Sequence, residues 1–178
     1  MADSRARVWT LAALALVCIG AGAWAAARAA PTSPARPALL VPDLFLVQWS
    51  PPDERYDQAG DAARIAMLSR RVRRAVVDSG RYRVLDRGRD DRVPPYRYLD
   101  CKPCTVDWAR RRGADEVLVG WVQKESELIL NVNLVLIDLR RHDAARGVSV
   151  ELRGDTDATW QAGARQLLDR LLGVVMPP

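Results

Sequence analysis

Apolar and polar residues follow two rhythms along this chain. Asp43-Leu44-Phe45-Leu46-Val47-Gln48-Trp49 is an apolar run closed by Ser50-Pro51-Pro52, the pattern of a buried strand ended by breakers. The period then lengthens. Ala62, Ile65, Leu68, Val72 and Val76 recur at helical spacing, with Gly80 placed to cap the C-terminus. Tyr82–Asp86 reads as a second strand around Val84 and Leu85, and the polar, proline-bearing stretch Arg87–Asp100 as a loop. Thr105–Arg112 is a short helix stopped by Gly113. Val117–Gln123 and Leu128–Leu139 are β-rich runs joined through Lys124-Glu125-Ser126-Glu127, which predicts a hairpin. Gly147–Arg153 adds a further strand and Gly154 breaks it. Thr156 or Asp157 can then cap a last helix whose buried stripe is Trp160, Ala164, Leu167 and Leu171.

The predicted order is β-α-β-α-β-β-β-α. Right-handed crossovers make the first three strands parallel, and hairpins make the last two antiparallel. The expected fold is therefore α/β (α+β-like), a mixed sheet with helices mainly on one face. Alternation tells the two faces apart. Leu128, Leu130, Val132, Leu134 and Leu136 point one way, and Ile129, Asn131, Asn133, Val135 and Ile137 the other. In the next strand Val148, Val150 and Leu152 oppose Ser149, Glu151 and Arg153. Asn131, Asn133, Ser149, Glu151 and Arg153 thus mark a mixed face, the candidate binding surface. Asparagines forgo β-propensity and need water or a partner around them. Plain solvent exposure of one face explains them too.

The N-terminus changes the picture by assigning a compartment. Arg5 and Arg7 precede an apolar run from Val8 to Ala27, followed by Ala27-Arg28-Ala29, so residues 1–29 read as a secretory signal peptide. An uncleaved anchor is the competing reading, but the run is rich in Ala and Gly, and Pro31, Pro34 and Pro37 follow at once. Residues 30–42 read as a Pro/Ala-rich linker and 43–176 as a single α/β domain. Cleavage after Ala29 lowers the net charge from +5 to +3, so the basic balance comes from many arginines nearly matched by acids. No aromatic-plus-basic signature for nucleic acid is present. The expected location is the periplasm, with membrane contact only through the signal segment.

Cys101-Lys102-Pro103-Cys104 stands before the second helix. Exported chains oxidise paired cysteines by default, which favours a disulfide clip. A redox role is the alternative, since a helix N-terminus stabilises a thiolate. A zinc site would need two more ligands, and the one histidine, His142, falls in a charged loop far along the chain. Asp155 and Asp157 lack the ligand ladder of a calcium loop and read as N-cap residues of the last helix. Arg70, Arg71, Arg73 and Arg74 read as a solvated helix face. The chain carries no phosphate loop, H-E-x-x-H or G-x-S-x-G signature, so neither cofactor nor catalytic residue is expected.

The segments "GADEVLVGWVQKESELILNVNLVLIDLR" and "VELRGDTDATWQAGARQLL", with "SGRYRVLD" and the C-x-x-C, resemble a family of exported proteobacterial proteins known only as a domain of unknown function, often found in methylotrophs. The resemblance spans Asp43 to Leu172. It is most specific at Arg153-Gly154-Asp155-Thr156-Asp157 with Trp160, although the family tends to have Asn at position 155. That family is similar in architecture to the TolB N-terminal domain and to curli-secretion and LpoB-type envelope lipoproteins. The resemblance implies a non-enzymatic adaptor whose partner is an envelope protein or a small ligand. The alternative function is a thiol–disulfide protein working through Cys101 and Cys104.

Overall fold

A computed structural model describes residues 35–48, 58–86, 98–126, 128–142 and 144–173. The expected signal peptide, Trp49 and nearly all of the Arg87–Asp100 loop lie outside these residues. Within them the chain forms β1 (Ala38–Leu40), β2 (Phe45–Gln48), α1 (Gln58–Asp78), β3 (Arg83–Val84), α2 (Lys102–Arg111), β4 (Glu116–Lys124), β5 (Ile129–Asp138), β6 (Ala144–Arg153) and α3 (Asp157–Leu172). The strand order is β3-β1-β4-β5-β6, with β2 also on β4. The helix-linked strands pair in parallel, and β4–β5 and β5–β6 are antiparallel hairpins, as the pattern predicts.

One expectation fails at the N-terminus. The proposed linker does not reach Pro42, because Ala38–Leu40 forms an inner strand of the sheet, between β3 and β4. Ala38, Leu39, Leu40 and Val41 are all buried. The predicted first strand is β2, and β1 is an additional strand from the expected linker, the two lying end to end along β4. Pro42 cannot donate to a ladder, so the chain leaves the sheet there. Helix α1 supplies the missing partners: Ser69 Oγ accepts from Leu44 N at 3.0 Å, and the Arg73 guanidinium donates to Val41 O. Arg73 therefore does not belong to a freely solvated arginine face. At the other end of β1, Asp115 accepts from Ala38 N at 2.7 Å and donates its own N–H to Ala38 O.

Even-numbered positions of β4, β5 and β6 face α1 and α3. Leu118, Val122, Leu130, Leu134 and Leu152 pack there against Leu68, Val72, Trp160, Leu167 and Leu168. Each fully buried Leu contributes roughly 1.5–3 kcal/mol through removal from water. Gly120 stands at the point of closest approach, where an added Cβ would meet Leu134 Cδ2 at 2.5 Å and Leu44 Cγ at 3.0 Å. Of the predicted helix stripes, α3's is buried throughout, whereas Ala62 of α1 is exposed and Asp61 beside it is buried. Odd-numbered positions point to the opposite face, where α2 covers only one end. Val106, Trp108 and Ala109 of α2 pack on Leu40, Val117, Val119, Ile137 and Leu139.

Candidate functional site

The half of the odd-numbered face beyond α2 carries the five residues that sequence reasoning singles out. Asn131 lies opposite Glu151, Asn133 opposite Ser149 and Ile129 opposite Arg153, so all five share one side of the β5–β6 hairpin. Asn131 and Asn133 are half-buried, while Ser149, Glu151 and Arg153 are exposed. Asn133 Nδ2 donates to the Asn131 carbonyl at 3.2 Å, and Arg153 pairs with Glu151 at 2.9 Å.

Next to them stands a feature that sequence reasoning missed. Trp121 of β4 is the cross-strand partner of both Asn133 and Phe45. Its ring stacks near-parallel to Phe45, with centroids 6.2 Å apart, and also stacks with Tyr98, at 6.1 Å. The Lys102 ammonium sits 5.7 Å over the Tyr98 ring. All three aromatic side chains are half-buried, and burial pushes the Tyr98 phenol upward from its ordinary value. From Tyr98 a cleft of about 270 Å³ continues beneath α2, with Pro103, Val106, Ile137 and Ala145 as its apolar lining and Lys102, Asp107 and Arg110 at its rim. An apolar, ring-lined strip bordered by amides and opposite charges suits an amphipathic ligand. Buried aromatics supply contact area and the amides supply orientation.

The cysteines lie at the end of this strip. Cys101 is the N-cap of α2, and its Sγ accepts from Cys104 N at 3.2 Å. Their Cα atoms are 5.3 Å apart, within the span a disulfide bridges. Pro103 in the first turn fits a helix start, where its missing N–H costs nothing. Among the described residues no group of three or more His, Cys, Asp and Glu is placed to hold a metal ion. His142 is exposed in the β5–β6 turn, far from the cysteines in sequence, with a left-handed backbone.

The other face holds a charge cluster. Lys124 ends β4 in even parity and is therefore carried into the core, where its Nζ donates to Asp61 at 2.9 Å and to Asp155 at 2.8 Å. Arg64 adds contacts to Asp61 at 3.2 Å, Asp155 at 3.6 Å and Asp157 at 3.1 Å. Trp160 Nε1 donates to Asp155 at 2.7 Å. This corrects the reading of Asp155 as a helix cap. Thr156 is the cap, its hydroxyl accepting from Thr159 N. Asp155 instead ties β4, α1 and α3 together. Burial pushes its carboxyl up, but the bonds from Lys124 and Trp160, with the charges of Lys124 and Arg64, hold it below the usual aspartate value. These groups satisfy one another and leave the cluster structural in character.

A family model described as "Protein of unknown function (DUF2380)", named DUF3280, matches residues 38–172, and the chain belongs to that family. Its N-terminal bound coincides with the start of β1. No curated protein matches the chain. Among solved structures it is similar to lipoprotein GNA1162 from Neisseria meningitidis (16% identity over 68% of this chain and 83% of that one, TM-score 0.45). It is also similar to the LpoB C-terminal domain from Escherichia coli (15%, 68% and 87%, TM-score 0.44). A third is the PelC dodecamer from Paraburkholderia phytofirmans (15%, 80% and 89%, TM-score 0.41).

Proposed function

We propose that this member of the family is a non-enzymatic binding or adaptor module of the cell envelope. In this reading it is exported to the periplasm by the signal peptide of residues 1–29 and receives an envelope protein on the half of the sheet that α2 leaves uncovered. One observation carries the reading: the Phe45–Trp121–Tyr98 row lies beside Asn131 and Asn133 and runs into the cleft beneath α2. Rigid aromatics in a polar surround have the composition of an interface hot spot. Cys101 and Cys104 are taken as a disulfide that closes the first turn of α2 and fixes Lys102 and Tyr98 at the edge of the strip.

Site-specific photo-crosslinking in intact cells tests this. A photoreactive residue at Asn131 or Asn133 should trap one discrete protein other than a second copy of this chain, while the same residue at Val77, exposed on α1, should not. Equal trapping from both sides of the molecule would remove the assignment. The redox alternative has one observation in its favour, the bond from Cys104 N to Cys101 Sγ at a helix N-terminus, which stabilises a thiolate. Insulin reduction by the wild type that is lost when both cysteines become serine would favour it over the adaptor reading.

A further inference from the structure

The sheet ends very differently at its two edges. On one side it stops at β3, two residues long; on the other at β6, ten residues long and free of proline. Among the described residues no strand pairs with the outer edge of β6. The backbone direction of that edge follows from three bonds. Glu125 N and Leu139 N bond across the β4–β5 ladder to Ile129 O and Asp115 O, so odd-numbered residues of β5 turn their polar groups toward β4. Even-numbered ones turn theirs toward β6, and Gly154 N bonding to Leu128 O agrees. In an alternating antiparallel ladder, the N–H and C=O groups of Ala145, Gly147, Ser149, Glu151 and Arg153 therefore point out of the sheet. A long edge with such a row is a template for another strand.

We propose that this edge docks a second copy of the chain, by antiparallel β6–β6 pairing about a two-fold axis through Ser149. This rests on the edge alone and not on the partner reading above. Only odd-numbered residues carry outward groups, so odd must face odd, and the axis must pass through a residue. Centred on Ser149, all five outward residues find a counterpart: Ser149 faces Ser149, Gly147 faces Glu151 and Ala145 faces Arg153. The small residues leave room for the long charged ones, and no like charges stand opposite each other. Centring on Glu151 would set two carboxylates face to face, which cross-strand pairing disfavours. On the covered face Val148 meets Val150 of the other copy, extending the apolar layer across the axis. The two mixed faces then join into one continuous surface.

The exported protein should sediment as a dimer, and Ser149→Pro should make it monomeric. Proline there removes an outward N–H and no bond to β5. Ser149→Cys should form an intermolecular disulfide on mild oxidation, because directly opposed residues of a bonded pair lie about 5.5 Å apart, within disulfide reach. Glu151→Cys alone should not, yet it should crosslink to a Gly147→Cys chain. Circular dichroism checks the fold of the proline variant, and if it is unfolded the cysteine pattern decides alone. A monomeric wild type, a dimer indifferent to Ser149→Pro in a folded chain, or crosslinking with no preference for these pairs would overturn the proposal.

Discussion

The two faces of the sheet solve the same burial problem in opposite ways. Toward α1 and α3, even-numbered leucines and valines interlock with two helices, and the buried charged strand residue, Lys124, is enclosed with two carboxylates and a tryptophan N–H. Toward α2, one short helix covers one end, and aromatics, asparagines and exposed charges occupy the rest. The first face tolerates no loose end, since a buried charge without its partner is far costlier than the pair. Beyond α2, the second keeps Asn131, Asn133, Ser149, Glu151 and Arg153 in reach of water. Substitutions on the first face should therefore be read in stability, and those on the second in binding.

The sharpest test of that contrast is Lys124→Met, which leaves the carboxylates of Asp61 and Asp155 enclosed without the ammonium. It should cost roughly 3–5 kcal/mol in denaturant unfolding, as breaking a buried ion pair does. Next in size, Gly120→Ala drives a methyl into Leu134 and Leu44 and should cost about 1–3 kcal/mol through overpacking. Acid should probe the same face more gently. Asp155 titrates below its unfolded value, so its contribution is whole above the ordinary aspartate pKa of about 3.9 and is lost as pH falls through the lower folded value. Asp155→Asn should accordingly flatten the acid limb of a stability–pH curve below about pH 4. Smallest in stability, Asn133→Val on the other face should shift unfolding by no more than about 0.5 kcal/mol while removing the crosslink partner. A large loss of stability from Asn133→Val, or none from Lys124→Met, would dissolve the contrast.

The sequence made much of this legible, for a local reason. Period-2 alternation in β5 and β6 states which residues share a face, and the hairpins fix their neighbours, so the grouping of Asn131, Asn133, Ser149, Glu151 and Arg153 could be read directly. What escaped depends on contacts far apart in the chain. Ala38–Val41 is too short a run to announce a strand, and its burial comes from residues 83–84 and 116–117. The Phe45–Trp121 pair needs a parallel register that no local pattern encodes. Lys124 did leave a signal: it continues the inward parity of Leu118 and Val122, and a lysine there calls for a buried acid. Asp155, just before the start of α3 at Asp157, resembled a cap because the Trp160 bond is invisible in the spacing.

The inner place of β1, between two strands from later sequence, has a consequence for the order in which the molecule comes into being. The first strand of the described residues lies inside the sheet, and both strands that flank it are drawn from later sequence. Its break at Pro42 is closed by Ser69 and Arg73, also later. Leu39 thus has no strand partner until Val84 is available and Leu40 none until Val117, and the entropy of closing those loops must be met before either pairing rewards it. A chain elongating from its N-terminus cannot settle this inner strand early. It stays open through more than half its length and closes late, when β4 arrives beside a strand that has been waiting since the beginning.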